Sequence, residues 1–150
     1  MRVVIQRVLS ASVSIGGQQH ANIGRGLLVL VGTESNDTEA DVEWISGKIA
    51  RMRIFPDEAG KMNLSLAEIK GEILVVSQFT LFASTKQGNR PSFLKASPPN
   101  LAIPRYEEFL RQLAVDTGRS IQSGVFGADM QVALVNDGPV TIGMDSHQRE

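Results

Sequence analysis

Two hydroxyls, an amide and an aromatic ring follow one another in Ser77-Gln78-Phe79-Thr80-Leu81, where the apolar run Glu72-Ile73-Leu74-Val75-Val76 ends. A run so rich in β-branched residues predicts a strand buried on both faces. Polar groups at its end need partners inside the fold or a pocket to face, because a buried unpaired polar atom costs roughly 1–3 kcal/mol. Two readings are open: hydroxyls that bond back to the local backbone, or a ligand site of a few polar groups on apolar walls. Ser77 or Thr80 as a nucleophile would need a base and an orienting acid beside it. His20, near a predicted strand, and His147, in the polar stretch 145–150, are not placed to serve, and His147 is expected to be solvated and disordered. No Gly-x-Ser-x-Gly elbow surrounds Ser77. Gly24-Arg25-Gly26 leads into a strand, not into the helix that a phosphate loop requires. The chain has no cysteine, and its histidines and carboxylates show no zinc-like spacing, so neither a metal nor a cofactor is expected. What remains is catalysis by positioning, by backbone donors and by groups of the substrate itself.

Several elements must hold that segment in place. Met1–Ile15 alternates and β-branches, predicting one long or bent strand; Gly16-Gly17 signals a hairpin, Gln18–Ile23 returns, and Leu27–Val31 forms a short buried strand closed by Gly32. Three strands in sequence read as an antiparallel meander. A helix begins near Thr38, where Thr38-Glu39-Ala40-Asp41 resembles a capping box and Val42, Ile45, Ile49 and Met52 form one stripe. Trp44 is expected in the core. Ile54-Phe55 reads as a short strand. A second helix is predicted from Pro104 to Thr117, with Tyr106, Phe109, Leu110 and Leu113 on its apolar face and Gly118 as its stop. Strands follow at Ile121–Val125, Met130–Val135 and Val140–Met144, the last two separated by the dense turn Asn136-Asp137-Gly138-Pro139. Between Phe82 and Leu101 no period is visible. Lys86, Arg90 and Lys95 with Phe93 would suit a phosphate or a nucleotide there, and a solvated loop is the alternative.

The fold class is therefore α+β, with mainly antiparallel or mixed sheets, barrel-like or sandwich-like, and two principal helices in a single domain over residues 1–150. A composition of 42% hydrophobic and 21% charged residues fits one globular core. No apolar run approaches the ~20 residues needed to cross a bilayer. No signal-peptide pattern precedes Val3, and the lack of cysteine fits a reducing, cytoplasmic setting. A formal net charge of −1 argues against a general nucleic-acid coat protein, while leaving room for a local patch that holds one RNA end.

Ser77-Gln78-Phe79-Thr80-Leu81 and Asn136-Asp137-Gly138-Pro139-Val140, taken together, resemble the two signature motifs of the D-aminoacyl-tRNA deacylases. Met1–Val8 and Phe126-Gly127-Ala128-Asp129-Met130 are similar to the same family, and the likeness runs the length of the chain. The resemblance implies hydrolysis of the ester between a D-amino acid, or misplaced glycine, and the terminal ribose of tRNA. It implies a homodimer whose active sites lie at the subunit interface, with the aminoacyl-tRNA acceptor end as the partner and no membrane. It also implies a cis Gly138-Pro139 bond that reaches into the partner's pocket, where its carbonyls select the α-amino group and exclude an L side chain. Thr80 matches a residue once regarded as the nucleophile; the substrate's 2′-hydroxyl, with backbone donors around Gln78 and Phe79, is the other implied actor. Arg7 would brace the partner's Gly-Pro segment. Met130 and Phe126 would wall an adenosine pocket, with Asn136 beside the selector.

Overall fold

The computed structural model describes Met1 to Glu150. β1 (Arg2–Ile15) is too long for any one of its short neighbours to cover. Gly16 and Gly17, at φ +56° and +79°, return the chain as β2 (Gln18–Ile23), which pairs only from Ala11 to Ile15. β3 (Gly26–Gly32) takes the free half of the same edge, from Arg2 opposite Gly32 to Val8 opposite Gly26. The expected meander is thus corrected: β2 and β3 both pair with β1, because a six-residue return leaves its first half open. On the other edge β8 (Gln131–Asp145) runs antiparallel along nearly all of β1. The predicted pair of strands at 130–135 and 140–144 is therefore one strand, and Asn136–Pro139 is a bulge in its ladder, not a hairpin turn.

β3 also pairs in parallel with β6 (Glu72–Ser77), and β6 in parallel with β7 (Ile121–Ser123). The crossover between β3 and β6 carries α1 (Glu39–Arg51) and the small hairpin of β4 (Phe55–Pro56) and β5 (Met62–Leu64). The crossover between β6 and β7 carries α2 (Pro99–Thr117). The result is a mixed, barrel-like sheet with two principal helices in a single domain. Its central strands are apolar on both faces for a clear reason. Leu27, Val29, Val31, Ile73 and Val75 pack against the helices through Ile45, Ile49, Phe109 and Leu113, whereas Leu28, Leu74 and Val76 face the barrel interior with Val8, Val13 and Ile23. β1 serves both cores. Val3 and Ile5 join the helix side and Val8, Ala11 and Val13 the barrel side, the change of phase falling where its register with β8 slips.

α2 starts at Pro99, five residues before the predicted Pro104. Pro98-Pro99 already supplies the first-turn proline, and Pro104 is tolerated inside because it and Asn100, whose carbonyl it leaves free, are exposed to water. Trp44 is half-buried rather than central, its ring flanked by Lys48 and by the guanidinium of Arg149 at 4.7 Å. His147 is also not free. Its Nε2 lies 2.9 Å from Asp37 Oδ1, and Ser146 beside it is buried against Met1.

The predicted capping box of α1 is present, with Asp41 Oδ2 accepting from the N–H and the hydroxyl of Thr38, each at 2.8 Å. Burial raises the Asp41 carboxyl, but hydrogen bonds from Thr38 and Ser146 and the charge of His147 outweigh it and bring the pKa down to about 2. A folded-state pKa below the unfolded value gives stability that is present above about pH 4 and lost as pH falls toward 2. Chemical denaturation should show a loss of roughly 2 kcal/mol across that window, and Asp41→Asn should remove most of this pH dependence.

Candidate active site

The parallel pair β3–β6 ends at Val31 opposite Ser77, and there the chain leaves the sheet. The Gln78 N–H still donates to Val31 O at 2.7 Å, after which Phe79–Phe82 wind into a single 3₁₀ turn. Gly32 permits this close return, since a Cβ on it would sit 2.8 Å from Gln78 O and 3.2 Å from the Phe82 ring. Phe82 is buried and anchors the turn, while Phe79 is 55% exposed. The ring of Phe93 meets Phe79 edge-on, with centroids 5.1 Å apart. The Phe79 and Thr80 amides are first-turn N–H groups, which lack acceptors within their own helix.

A pocket of about 320 Å³ opens at this strand end. Val31, Val76 and Val132 form its apolar floor, Ser77, Gln78 and Phe79 one wall, and Phe126 to Met130 the other. Ala102 and Tyr106 of α2 close the back. The structure thus brings together five of the nine residues singled out from the sequence: Ser77, Gln78, Phe79, Phe126 and Met130. Tyr106, Thr33, Ser97 and Asp129 also line the pocket and were given no site role from the sequence; Tyr106 was hidden by its place on an apolar helical face. The Tyr106 hydroxyl donates to Val75 O at 3.4 Å, and burial pushes its pKa up to about 12 against a hydrogen bond to Ser123. That phenol stays protonated at neutral pH and does not act as a base. No histidine lines the pocket, and Asp129 is its one carboxylate, exposed at the rim.

Thr80 is half-buried and does not line the cavity; its hydroxyl accepts from Gln78 Nε2. An amide N–H cannot take a proton from it, so nothing here activates Thr80 as a nucleophile. The expectation of Gln78 as a backbone donor to substrate also changes, because its N–H is committed to Val31.

Asn136, Gly138 and Pro139 lie elsewhere on the same chain, at the bulge of β8, and line no part of this pocket. The Gly138-Pro139 peptide is cis, and Gly138 and Pro139 are exposed. Asn136 ties the bulge together: its Oδ1 accepts from Val140 N–H at 3.0 Å and its Nδ2 donates to Gln6 Oε1 and to Val140 O. Arg7, expected to brace the partner's Gly-Pro segment, braces the segment of its own chain. Its Nε donates to Asp137 O at 3.0 Å, and its Nη1 to Ile54 O at 2.6 Å. The carboxylate of Asp137 lies 3.2 Å from the same Nε. Gly138 stands at φ +132°, and a Cβ there would approach Val140 Cγ2 to 2.9 Å and Arg7 Nη2 to 3.1 Å.

Away from both sites, Glu34, Asp37 and His147 approach one another closely enough to suggest metal ligands. Asp37 Oδ1 already accepts from the Met1 ammonium and meets His147 Nε2, and its Oδ2 accepts from Glu34 N–H at 2.8 Å. The group works as an ion-paired latch between β1, α1 and the last turn.

The family model for D-Tyr-tRNA(Tyr) deacylase matches residues 4–145. The chain is 59% identical to the D-aminoacyl-tRNA deacylase of Flavobacterium johnsoniae and 61% identical to that of Cytophaga hutchinsonii, over all 150 residues and the whole of each relative. Among solved structures it is similar to the c-Myc DNA Unwinding Element Binding Protein, with a TM-score of 0.90, 44% identity, and 97% of this chain and 98% of that one covered. A probable eukaryotic D-amino acid tRNA deacylase shares the fold, with a TM-score of 0.84 at 18% identity, over 95% of this chain and 97% of that one. This chain belongs to the D-Tyr-tRNA(Tyr) deacylase family.

Proposed function

We propose that the chain, as a single domain over residues 1–150, hydrolyses the ester linking a D-amino acid to the 3′-terminal ribose of tRNA. Free D-amino acid and tRNA are released, and the reaction serves as chiral proofreading in the cytoplasm. Glycine, which lacks a side chain to exclude, is accepted on the same terms. The observation that carries this reading is a pocket of about 320 Å³ at Ser77–Phe79 that holds no histidine and whose one carboxylate, Asp129, stands exposed at the rim. An aminoacyl ester brings its own hydroxyl, the 2′-OH beside the scissile bond. In this mechanism that hydroxyl guides the attacking water, and the Phe79 N–H stabilises the oxyanion as the carbonyl becomes tetrahedral. Met130 and Phe126 hold the terminal base, and the Ser77 hydroxyl and Gln78 shape the wall that positions the ester.

In the proposed homodimer, Gly138-Pro139 of one protomer completes the pocket of the other. Exposure of the bulge and its absence from its own chain's pocket support that arrangement. Two backbone carbonyls would receive the α-amino group of the substrate, and the space beside them would be too narrow for an L side chain. Such a selector needs a rigid backbone, which Arg7 and Asn136 provide.

Incubation with D-tyrosyl-tRNA and L-tyrosyl-tRNA tests the reading directly: only the D ester should be cleaved. A second reading, a non-catalytic binder of nucleic-acid ends, draws on the likeness to the 44% identical c-Myc DNA Unwinding Element Binding Protein and on the lack of a histidine in the pocket. Such a binder would protect both esters or neither. Thr80→Ala should keep activity within about tenfold, because a hydroxyl with no base beside it contributes little. Complete loss in a folded variant that still binds tRNA would restore the side-chain nucleophile.

A further inference from the structure

Residues 73–106 contain no aspartate or glutamate, in a chain that elsewhere carries 16 acids against 15 lysines and arginines in all. Lys86, Arg90 and Lys95 fall within that stretch, are exposed, and make no ion pair. Their loop is nonetheless held in place. Ser84 and Ser92 exchange backbone hydrogen bonds of 2.8 and 2.9 Å, and the Ser97 N–H donates to Thr33 O at 2.8 Å. Phe93 rests edge-on against Phe79, and Ser97 itself lines the pocket, so the loop is fastened to the pocket on two sides. Leu94, between Phe93 and Lys95 in sequence, is 95% exposed.

We propose that the loop from Ser84 to Ala96 is a second binding site, for the phosphodiester backbone of the RNA strand leaving the pocket. Lys86, Arg90 and Lys95 contact its phosphates, and Phe93-Leu94 give the last unpaired bases an apolar step. The proposal rests on the reading above, in which the pocket holds an aminoacylated RNA end. Three exposed, unpaired cations spread over ten residues suit a polyanion more than a small anion, which would need convergent buried donors. None of the three is drawn into an ion pair, and the carboxylates near them, Asp129 at the pocket rim and Glu34, bridged to Ala96, belong to other segments.

Each phosphate neutralised on a single strand contributes ~0.7 to the slope of log K against log salt. The triple variant Lys86→Gln, Arg90→Gln, Lys95→Gln should therefore lower the salt slope for binding uncharged tRNA by about 2. At ~0.1 M salt the same variant should raise the Kd at least tenfold. The ratio of kcat/KM for D-tyrosyl-tRNA to that for D-tyrosyl-adenosine, which has no phosphates beyond the pocket, should fall at least tenfold. A charge-keeping variant, Lys86→Arg, Arg90→Lys, Lys95→Arg, should retain the wild-type slope. An unchanged slope or ratio in the triple variant overturns the proposal, as does competition by poly-glutamate as strong as that by RNA. Wild-type protein that binds tRNA with the expected slope but cleaves neither ester refutes the deacylase reading and leaves the loop site standing.

Discussion

Gly138→Ala should change which esters are cleaved more than it changes whether the protein folds. A methyl at φ +132° meets Val140 Cγ2 at 2.9 Å and Arg7 Nη2 at 3.1 Å, so the bulge must shift by several tenths of an ångström. Arg7 can give only partly, because Ile54 O and Asp137 O hold its guanidinium. The movement therefore passes into the carbonyls of the bulge, the groups proposed to meet the α-amino group. The ratio of kcat/KM for D-tyrosyl-tRNA over L-tyrosyl-tRNA should drop on the order of tenfold or more, equivalent to about 1.4 kcal/mol of lost discrimination. Glycyl-tRNA, measured beside them, should lose rate as well, since its only handle is the amino group. Strain at a left-handed position should cost roughly 1–2 kcal/mol of stability, too little to unfold a domain of this size. A folded variant with wild-type discrimination would remove the carbonyl selector from the account.

How much of this was legible beforehand differs by element. The buried strand Glu72–Val76, which runs one residue further to Ser77, the capping box at Thr38 and the apolar face of α2 follow from periodicity and local chemistry. Strand partnership was not legible in the same way. Nothing local in Gly24-Arg25-Gly26 says that β3 will pair with β1 rather than β2; the length of β1 decides it, through a free edge that only the assembled sheet presents. Asn136–Pro139 carries every mark of a hairpin turn, yet β1 pairs with both of its flanks and makes it a bulge. His147 is exposed, as its polar surroundings suggest, but nothing in that tail hints at its contact with Asp37, which lies 110 residues away in sequence. At the site, the Ser77–Phe79 wall was visible from its polar residues at an apolar strand end. Tyr106 and Ala102 were not, because the same side chains satisfy a core helix and a pocket wall alike.

With no histidine in the pocket and its one carboxylate, Asp129, exposed at the rim, the weight of catalysis falls on backbone position, and Gly32 is where that can be tested hardest. β3 and the 3₁₀ turn touch there, with no room for a methyl: Gln78 O lies 2.8 Å from a Cβ at residue 32, and the Phe82 ring 3.2 Å. Phe82 is buried and cannot swing aside, and the Gln78 N–H is tied to Val31 O, so Gly32→Ala must displace the turn that carries the Phe79 amide. Overpacking of this kind costs about 1–3 kcal/mol, which for a chain of this length lowers Tm by several degrees. The catalytic cost should be larger in proportion, because relieving these contacts moves the oxyanion donor by about half an ångström, and a misplacement of ~1 Å is worth roughly 100-fold in rate. We therefore expect Gly32→Ala to remain folded at 25 °C, to bind uncharged tRNA within a few-fold of wild type through the cationic loop, and to lose about tenfold or more in kcat on D-tyrosyl-tRNA. Thr80→Ala, by contrast, removes a hydroxyl and leaves the backbone where it is. If the threonine variant were the inactive one and the glycine variant the active one, chemistry would belong to the side chain after all; the opposite order identifies the turn itself as the catalytic group.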